Sequence, residues 1–231
     1  MFKKNIWPLI LFILLLLGMS GFLYLPIMIF NLDYGNFTQS MKIIYTFCCD
    51  IIFMLIVFLI YRKTFIRDIK KYFKDFKENF STSFKYYFIG LIIMYVSNLL
   101  ISFFFSEANA NNETAIRNLM DVYPLYMLFS VAIYAPFIEE IIFRKNIFDC
   151  VVSFRDNKFT RYLYVLISGL IFASLHVLGM TNTYLDYLYI IPYSSLGIAF
   201  ALLYNKTGNI FCSISMHAMH NIVAAIGYFM I

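Results

Sequence analysis

The stretch PFIEEIIFR, residues 136–144, places two adjacent carboxylates and an arginine inside a run that otherwise has the composition of a membrane span. Ionisable groups within a bilayer are costly, and they usually face a bundle interior or a watery cavity where they serve function. Glu140 and Arg144 are four residues apart, so a helix places them on one face, where they can form an ion pair. Glu139 points about 100° away from Glu140, which leaves its carboxylate free. The alternative is a cytoplasmic helix end whose charges meet the lipid headgroups.

The composition of the whole chain is that of a polytopic membrane protein. Of the 231 residues, 62% are hydrophobic and 13% are charged, and the mean hydropathy is +0.76. Because no stretch has the composition of a soluble domain, we predict an all-α transmembrane helix bundle that forms a single domain over residues 1–231. The net charge of +5 follows the membrane topology, so nucleic-acid binding is not expected. The four cysteines lack CxxC spacing and are interpreted as packing residues.

Seven apolar runs are long enough to span a membrane. They are Ile6–Phe30, Ile43–Tyr61, Tyr86–Phe105, Leu125–Phe148, Tyr162–Leu178, Leu188–Tyr204 and Ile210–Ile231. With a cytoplasmic amino terminus, all but two of the 18 lysine and arginine residues fall on the inside, the exceptions being Lys42 and Arg117, as the positive-inside rule requires. The first run lacks a small-x-small cleavage site, so we predict an uncleaved span rather than a signal peptide.

Two segments between the predicted spans have distinct compositions. Residues 62–85 carry aromatic and aliphatic residues at helical spacing with lysines between them, which predicts a basic amphipathic helix lying on an anionic cytoplasmic leaflet. The alternative is a solvated loop that is basic only for topology. The segment Ser106–Pro124 is polar and rich in asparagine, and we predict a flexible outer loop there.

Further polar residues are embedded in the fifth and last predicted spans. The fifth contains Phe172 and, four residues later, His176; the last contains His217 and, four residues later, Asn221, so that each pair shares a helix face. A lone histidine in an apolar helix is more often a packing residue than a catalyst, but all three histidines of the chain lie in the half that holds the glutamate pair. Because a helix rises about 1.5 Å per residue, these side chains can lie at the same depth in the membrane as Glu139 if the fifth span is tilted.

A glutamate, two histidines and an asparagine in a wet pocket would be sufficient to hydrolyse an amide. A carboxylate shielded from water is a stronger base for deprotonating a water molecule. A histidine can orient that water. A second histidine and an asparagine amide can donate hydrogen bonds to the oxyanion of the tetrahedral intermediate, and each such donor can accelerate the reaction on the order of 10²–10³-fold. Glu139, His176 and His217 also form a plausible zinc triad. Since neither HExxH nor HxxEH occurs and asparagine is a poor zinc ligand, we predict a site without cofactor and keep zinc as the alternative.

The order of these motifs resembles the signature of the CPBP family, the CAAX-protease and bacteriocin-processing family of intramembrane proteases, also called Abi. The family includes the type II CAAX prenyl proteases. The resemblance covers residues 125–230 and rests on three motifs: Glu139-Glu140-x-x-x-Arg144, Phe172-x-x-x-His176 and His217-x-x-x-Asn221.

The resemblance implies an all-helical bundle with a central polar cavity. It implies that Glu139 activates the attacking water together with His176, and that His217 and Asn221 form the oxyanion hole. The remaining motif residues would support the site, namely Glu140, Arg144 and Phe172.

The expected substrate is a membrane-associated peptide or protein, such as a bacteriocin or pheromone precursor, processed in a bacterial cell membrane. One alternative is a bacteriocin self-immunity protein or regulatory scaffold without proteolysis. A second is a small transporter that uses glutamate and histidine as a proton relay, although no internal repeat is visible in the sequence.

Overall fold

A computed structural model describes residues 6–104, 111–178, 181 and 183–230, and these residues contain helices and connecting turns but no strand. The predicted all-α fold is therefore confirmed. In chain order the helices are α1 (Ile6–Gly21), α2 (Tyr24–Phe30), α3 (Gln39–Lys74), α4 (Phe76–Phe104), α5 (Asn111–Val122), α6 (Pro124–Val152), α7 (Lys158–Val177), α8 (Ile190–Thr207) and α9 (Ile210–Met230). Short 3₁₀ turns lie at Tyr34–Asn36 and Tyr184–Tyr189.

Six helical segments are long and apolar enough to cross a membrane: α3, α4, α6, α7, α9, and α8 together with the 3₁₀ turn before it. The protein is an integral membrane protein with several spans, as predicted. A seventh span, the predicted first one over Ile6–Phe30, exists if α1 and α2 cross as one unit, although their axes differ by 75°. Pro26 lacks the N–H that would continue the helical bonding to Phe22, and Leu25 N–H bonds to the Phe22 carbonyl instead. The membrane orientation stays a prediction.

Helix α6 is the centre of the bundle. Its inner half contributes fully buried side chains to the main apolar cluster, including Ile138, Ile142 and Phe143. Helices α7 and α8 pack beside it and approach each other at two glycines. A Cβ on Gly169 would lie 2.4 Å from Ile198 Cγ1, and small residues at such crossings let transmembrane backbones come close. This contact holds the part of α7 that carries the second motif against the bundle.

The segment 62–85 is not a separate surface helix. Residues up to Lys74 continue α3, and α4 begins at Phe76. The reason is Asp68, which is buried and accepts a hydrogen bond from the Ile210 backbone N–H at 3.0 Å. Its carboxylate caps the first turn of α9, whose N–H groups lack helical partners. This contact fixes the carboxyl-terminal end of α3 to the bundle at the start of α9.

The predicted flexible loop Ser106–Pro124 contains a helix over its described part, while residues 106–110 lie outside the described residues. Helix α5 packs Met120 against Met127 at the start of α6. Its polar side chains make further contacts: Glu113 pairs with Arg117 across one turn at 2.6 Å, and Asn112 donates to the Tyr193 hydroxyl of α8 at 3.3 Å. The asparagine-rich composition concealed this amphipathic pattern.

Candidate active site

Two wide π turns lie on either side of Glu139 in α6, Ser130–Tyr134 before it and Glu140–Asn146, which includes Glu140, directly after it. In the first, Ala135 N–H bonds to the Ser130 carbonyl five residues back, and Pro136 has no N–H to give. The Val131 carbonyl is therefore left without a helical donor, and the Asn221 amide donates to it at 2.7 Å. Such turns frequently occur at functional sites. They set the rotation of α6 at Glu139.

Glu140 and Arg144 form the ion pair that their spacing predicts, and both side chains are completely buried. The Glu140 Oε2 to Arg144 Nε distance is 3.0 Å, although the two groups are not aligned as a hydrogen bond. Arg144 also donates to Ser168 Oγ at 3.1 Å, and its guanidinium lies 4.8 Å from the centre of the Phe172 ring. Stacking on an aromatic face stabilises a desolvated cation. Phe172 therefore supports the arginine directly.

His217 extends from α9 to both glutamates. Its Nδ1 lies 2.9 Å from Glu140 Oε1, and its Nε2 lies 3.9 Å from Glu139 Oε2. Because an ionised carboxylate only accepts hydrogen bonds, Nδ1 is the protonated nitrogen. The other nitrogen of a neutral ring then carries a lone pair directed at Glu139. Phe200 stacks on the ring with a centroid distance of 5.4 Å.

His176 is fixed in the same way from α7. Its Nδ1 lies 2.8 Å from the Phe172 carbonyl, which can only accept, so Nδ1 is again the donor. Its Nε2 lies 4.0 Å from Glu139 Oε2. The ring is held between Phe172 at 4.3 Å and Tyr193 at 5.0 Å, measured between centroids. The imidazole therefore presents its unprotonated nitrogen to the glutamate.

Three acceptor atoms thus face one another: Glu139 Oε2 and the Nε2 atoms of His176 and His217. Glu139 Oε2 is buried and has no hydrogen-bond partner within the described residues. Separations near 4 Å are too long for direct hydrogen bonds and are of the length that one water molecule bridges. The arrangement is chemically suited to a single donor, either a water molecule or a proton, shared among the three groups.

The structure brings Glu139, His176 and His217 together, and places Glu140, Arg144 and Phe172 around them. Asn221 bonds to the Val131 carbonyl, so its role as an oxyanion donor stays a prediction. The third histidine, His220, lies apart from this group, with its Nδ1 3.4 Å from the Tyr87 hydroxyl.

Sequence reasoning missed two residues of the site. Ser168 bridges Arg144 and the Phe143 carbonyl, to which it donates at 2.7 Å, and Tyr193 stacks on His176. One serine in an apolar helix and one of 19 tyrosines carry no local signal that would single them out.

The zinc alternative does not fit the donor arrangement. Within the described ranges, no three His, Cys, Asp or Glu side chains are arranged to hold a metal ion. The metal-free site stays a prediction.

Comparison with known proteins gives a family match. The family described as Type II CAAX prenyl endopeptidase Rce1-like matches residues 121–223. The chain is 30% identical over 136 residues to a Bacillus subtilis (strain 168) protein named "Putative membrane peptidase YdiL", covering 58% of this chain and 50% of that protein. It is 27% identical over 138 residues to "UPF0177 protein YvdC" of Lactococcus lactis subsp. lactis (strain IL1403), covering 58% and 49%.

The chain spans about half the length of these two relatives. No solved structure matches it. The matched residues 121–223 contain all three motifs and run from the end of α5 into α9. The part of the chain that builds the candidate site is therefore similar to the family of type II CAAX prenyl endopeptidase Rce1-like proteins, in agreement with its resemblance to the CPBP family.

Proposed function

We propose that the protein is an intramembrane endopeptidase that hydrolyses a peptide bond of a membrane-associated peptide or protein. The observation that carries this proposal is the meeting of Glu139 Oε2 with two histidine Nε2 atoms at 3.9 and 4.0 Å. All three groups lie on helices that are long and apolar enough to cross a membrane. The family match and the name of the Bacillus subtilis relative support the same chemistry.

The proposed first step is activation of one water molecule by Glu139 and His176. Two atoms about 4 Å apart can each lie about 2.8 Å from the same water oxygen, with about 90° between the two hydrogen bonds. The water donates one proton to the Glu139 carboxylate, and its oxygen bonds to the carbonyl carbon of the substrate. When the C–N bond then breaks, the nitrogen takes up the proton, and Glu139 is again ionised.

His217 is proposed to stabilise the oxyanion. Glu139, Glu140 and Arg144 together carry a net charge of −1, so one additional proton makes the site neutral. A proton on His217 Nε2 would be directed at the reacting carbonyl while Nδ1 stays bonded to Glu140. Asn221 has two amide hydrogens, and the one that does not bond to Val131 is the proposed second donor to the oxyanion.

The test compares cells that carry the wild-type protein with cells that carry Glu139→Gln, using mass spectrometry of the small peptides. Peptides produced only by the wild type identify the substrate. His176→Gln and His217→Gln should also abolish cleavage, whereas His220→Gln is the matched control and should retain it. Cleavage by the Glu139→Gln protein at the wild-type rate would refute the proposal. A self-immunity or scaffold role would persist in that variant without any difference in peptides.

We also propose that the protein lies in a bacterial cell membrane and contacts anionic lipid through the inner ends of α3 and α4. Phe76, Phe80 and Phe84 form an exposed ladder along α4, with ring centroids 5.6 and 6.1 Å apart. The neighbouring Lys74 and Lys77 are exposed, and lysines near an anionic surface contribute about 1 kcal/mol each. Replacing both with glutamine should lower the amount of phosphatidylglycerol, relative to phosphatidylcholine, that binds the detergent-purified protein from an equal mixture of the two lipids. An unchanged ratio of bound lipids would contradict the lipid contact.

A further inference from the structure

Asp50 is an ionisable residue in the middle of α3 that the proposed chemistry does not use. It is the only charged residue between Ile43 and Tyr61, and it lies outside the family match. A carboxylate within a membrane span is retained at a considerable cost. In the described part of the chain its hydrogen-bond partners are tyrosine hydroxyls of α6 rather than basic side chains.

The partners of Asp50 lie on both sides of the first π turn of α6. The Tyr126 hydroxyl, before the turn, donates to Asp50 Oδ2 at 2.9 Å. The Tyr134 hydroxyl, at the end of the turn, lies close to the same carboxylate and interacts with it. One carboxylate therefore connects two points of α6 that are separated by the irregular turn.

Aromatic contacts align α3 with α6 above and below this connection. Phe47 packs edge to face on Phe129 with a centroid distance of 4.9 Å, and Phe65 stacks on Phe137 at 4.6 Å. These contacts are apolar and do not select one rotation of α6 about its axis. The hydrogen bond from Tyr126 to Asp50 is directional, and together with the nearby Tyr134 hydroxyl it does select one rotation.

The rotation matters because Glu139 follows the turn by five residues. A π turn accommodates one extra residue, so its loss would rotate the following residues by about 100°. Glu139 would then face away from His176 and His217. Tyr134 lies close enough to Glu139 for the charge of the Glu139 carboxylate to act on the Tyr134 hydroxyl. The residues that contact Asp50 therefore reach the edge of the candidate site.

We propose that Asp50 is a positioning residue: through Tyr126 and Tyr134 it fixes the wide turn of α6 and directs Glu139 toward the two histidines. The proposal rests on the proposed peptidase function. The acceptor oxygens of Asp50, rather than its charge, perform this role.

The kinetic test uses a quenched fluorescent peptide containing the bond identified by the peptide comparison. Asp50→Leu should lower kcat on the order of 10²-fold, the effect of a misplacement of about 1 Å, and leave KM unchanged. Asp50→Asn keeps an acceptor oxygen and should restore most of kcat. Thr46→Val is the matched control, since Thr46 lies one turn away in α3 and bonds only to its own helix at Lys42. An active Asp50→Leu protein overturns the proposal, as does an Asp50→Asn protein that is equally impaired.

A second test needs no substrate. The loss of thermal stability in detergent should be non-additive for Asp50→Leu and Tyr126→Phe, because both remove the same connection. Additive losses overturn the proposal. Failure of the wild-type protein to cleave any peptide counts against the peptidase function, and the stability cycle still decides whether Asp50 holds the turn.

Discussion

Replacing Arg144 with methionine should destabilise the protein strongly, because it leaves Glu140 ionised in a site without water. Both side chains are completely buried, with Nε and Oε2 3.0 Å apart. Removing one partner of such a pair costs about 3–5 kcal/mol. The Arg144→Met change also removes the hydrogen bond to Ser168 and the contact with Phe172, so the loss should fall at the upper end. For a chain of this size, the expected decrease in Tm is on the order of 10 °C.

The double variant Glu140→Gln/Arg144→Met should recover most of that stability, because glutamine is neutral and its amide oxygen can still accept from His217 Nδ1. The assay is thermal unfolding in detergent followed by circular dichroism. Arg161→Met is the control: Arg161 and Asp156 form a largely exposed pair, and its loss should change the stability much less. A double variant as unstable as the single one would show that arginine packing, not charge pairing, stabilises the site.

Three further results are expected. Pro136→Ala supplies the missing N–H and favours a regular helix at Val131. The cleavage rate should therefore fall on the order of 10²-fold, and an unchanged rate would contradict this expectation. Gly169→Ala brings a Cβ within 2.4 Å of Ile198 Cγ1 and should lower the free energy of unfolding by about 1–3 kcal/mol. Gly227→Ala is its control, because a Cβ there meets nothing within 4 Å, and it should leave the melting temperature unchanged. Cleavage should persist in EDTA and 1,10-phenanthroline; loss in chelator with recovery on adding zinc would support the metal alternative.

The helix period was sufficient to predict the main contacts of the candidate site. Spacing of four residues pairs Glu140 with Arg144, and it explains why Glu139 points elsewhere. Depth along the helices indicated that His176 and His217 could reach the same layer. These predictions succeeded because they depend on regular helix geometry and on the high cost of unpaired polar groups in a membrane.

The features that the sequence did not reveal depend on contacts distant in the chain. The continuation of α3 beyond the membrane follows from Asp68 meeting Ile210, 142 residues away. The bond from Asn221 to Val131 exists because Pro136 leaves a carbonyl free, which is visible only once the two helices are side by side. The bond from Tyr126 to Asp50 joins residues 76 positions apart, so no local pattern in the sequence indicates it.

The cap that Asp68 provides also determines which contacts a shortened chain would lose. A fragment confined to residues 121–223 would have the site side chains but no acceptor for the Ile210 amide, and the Asn209 side chain would lose the Asp68 carbonyl to which it donates at 3.0 Å. In lipid each such orphaned group costs several kcal/mol. The amino-terminal part of the chain therefore supplies the polar partners for the first turn of α9, the helix that carries His217 and Asn221.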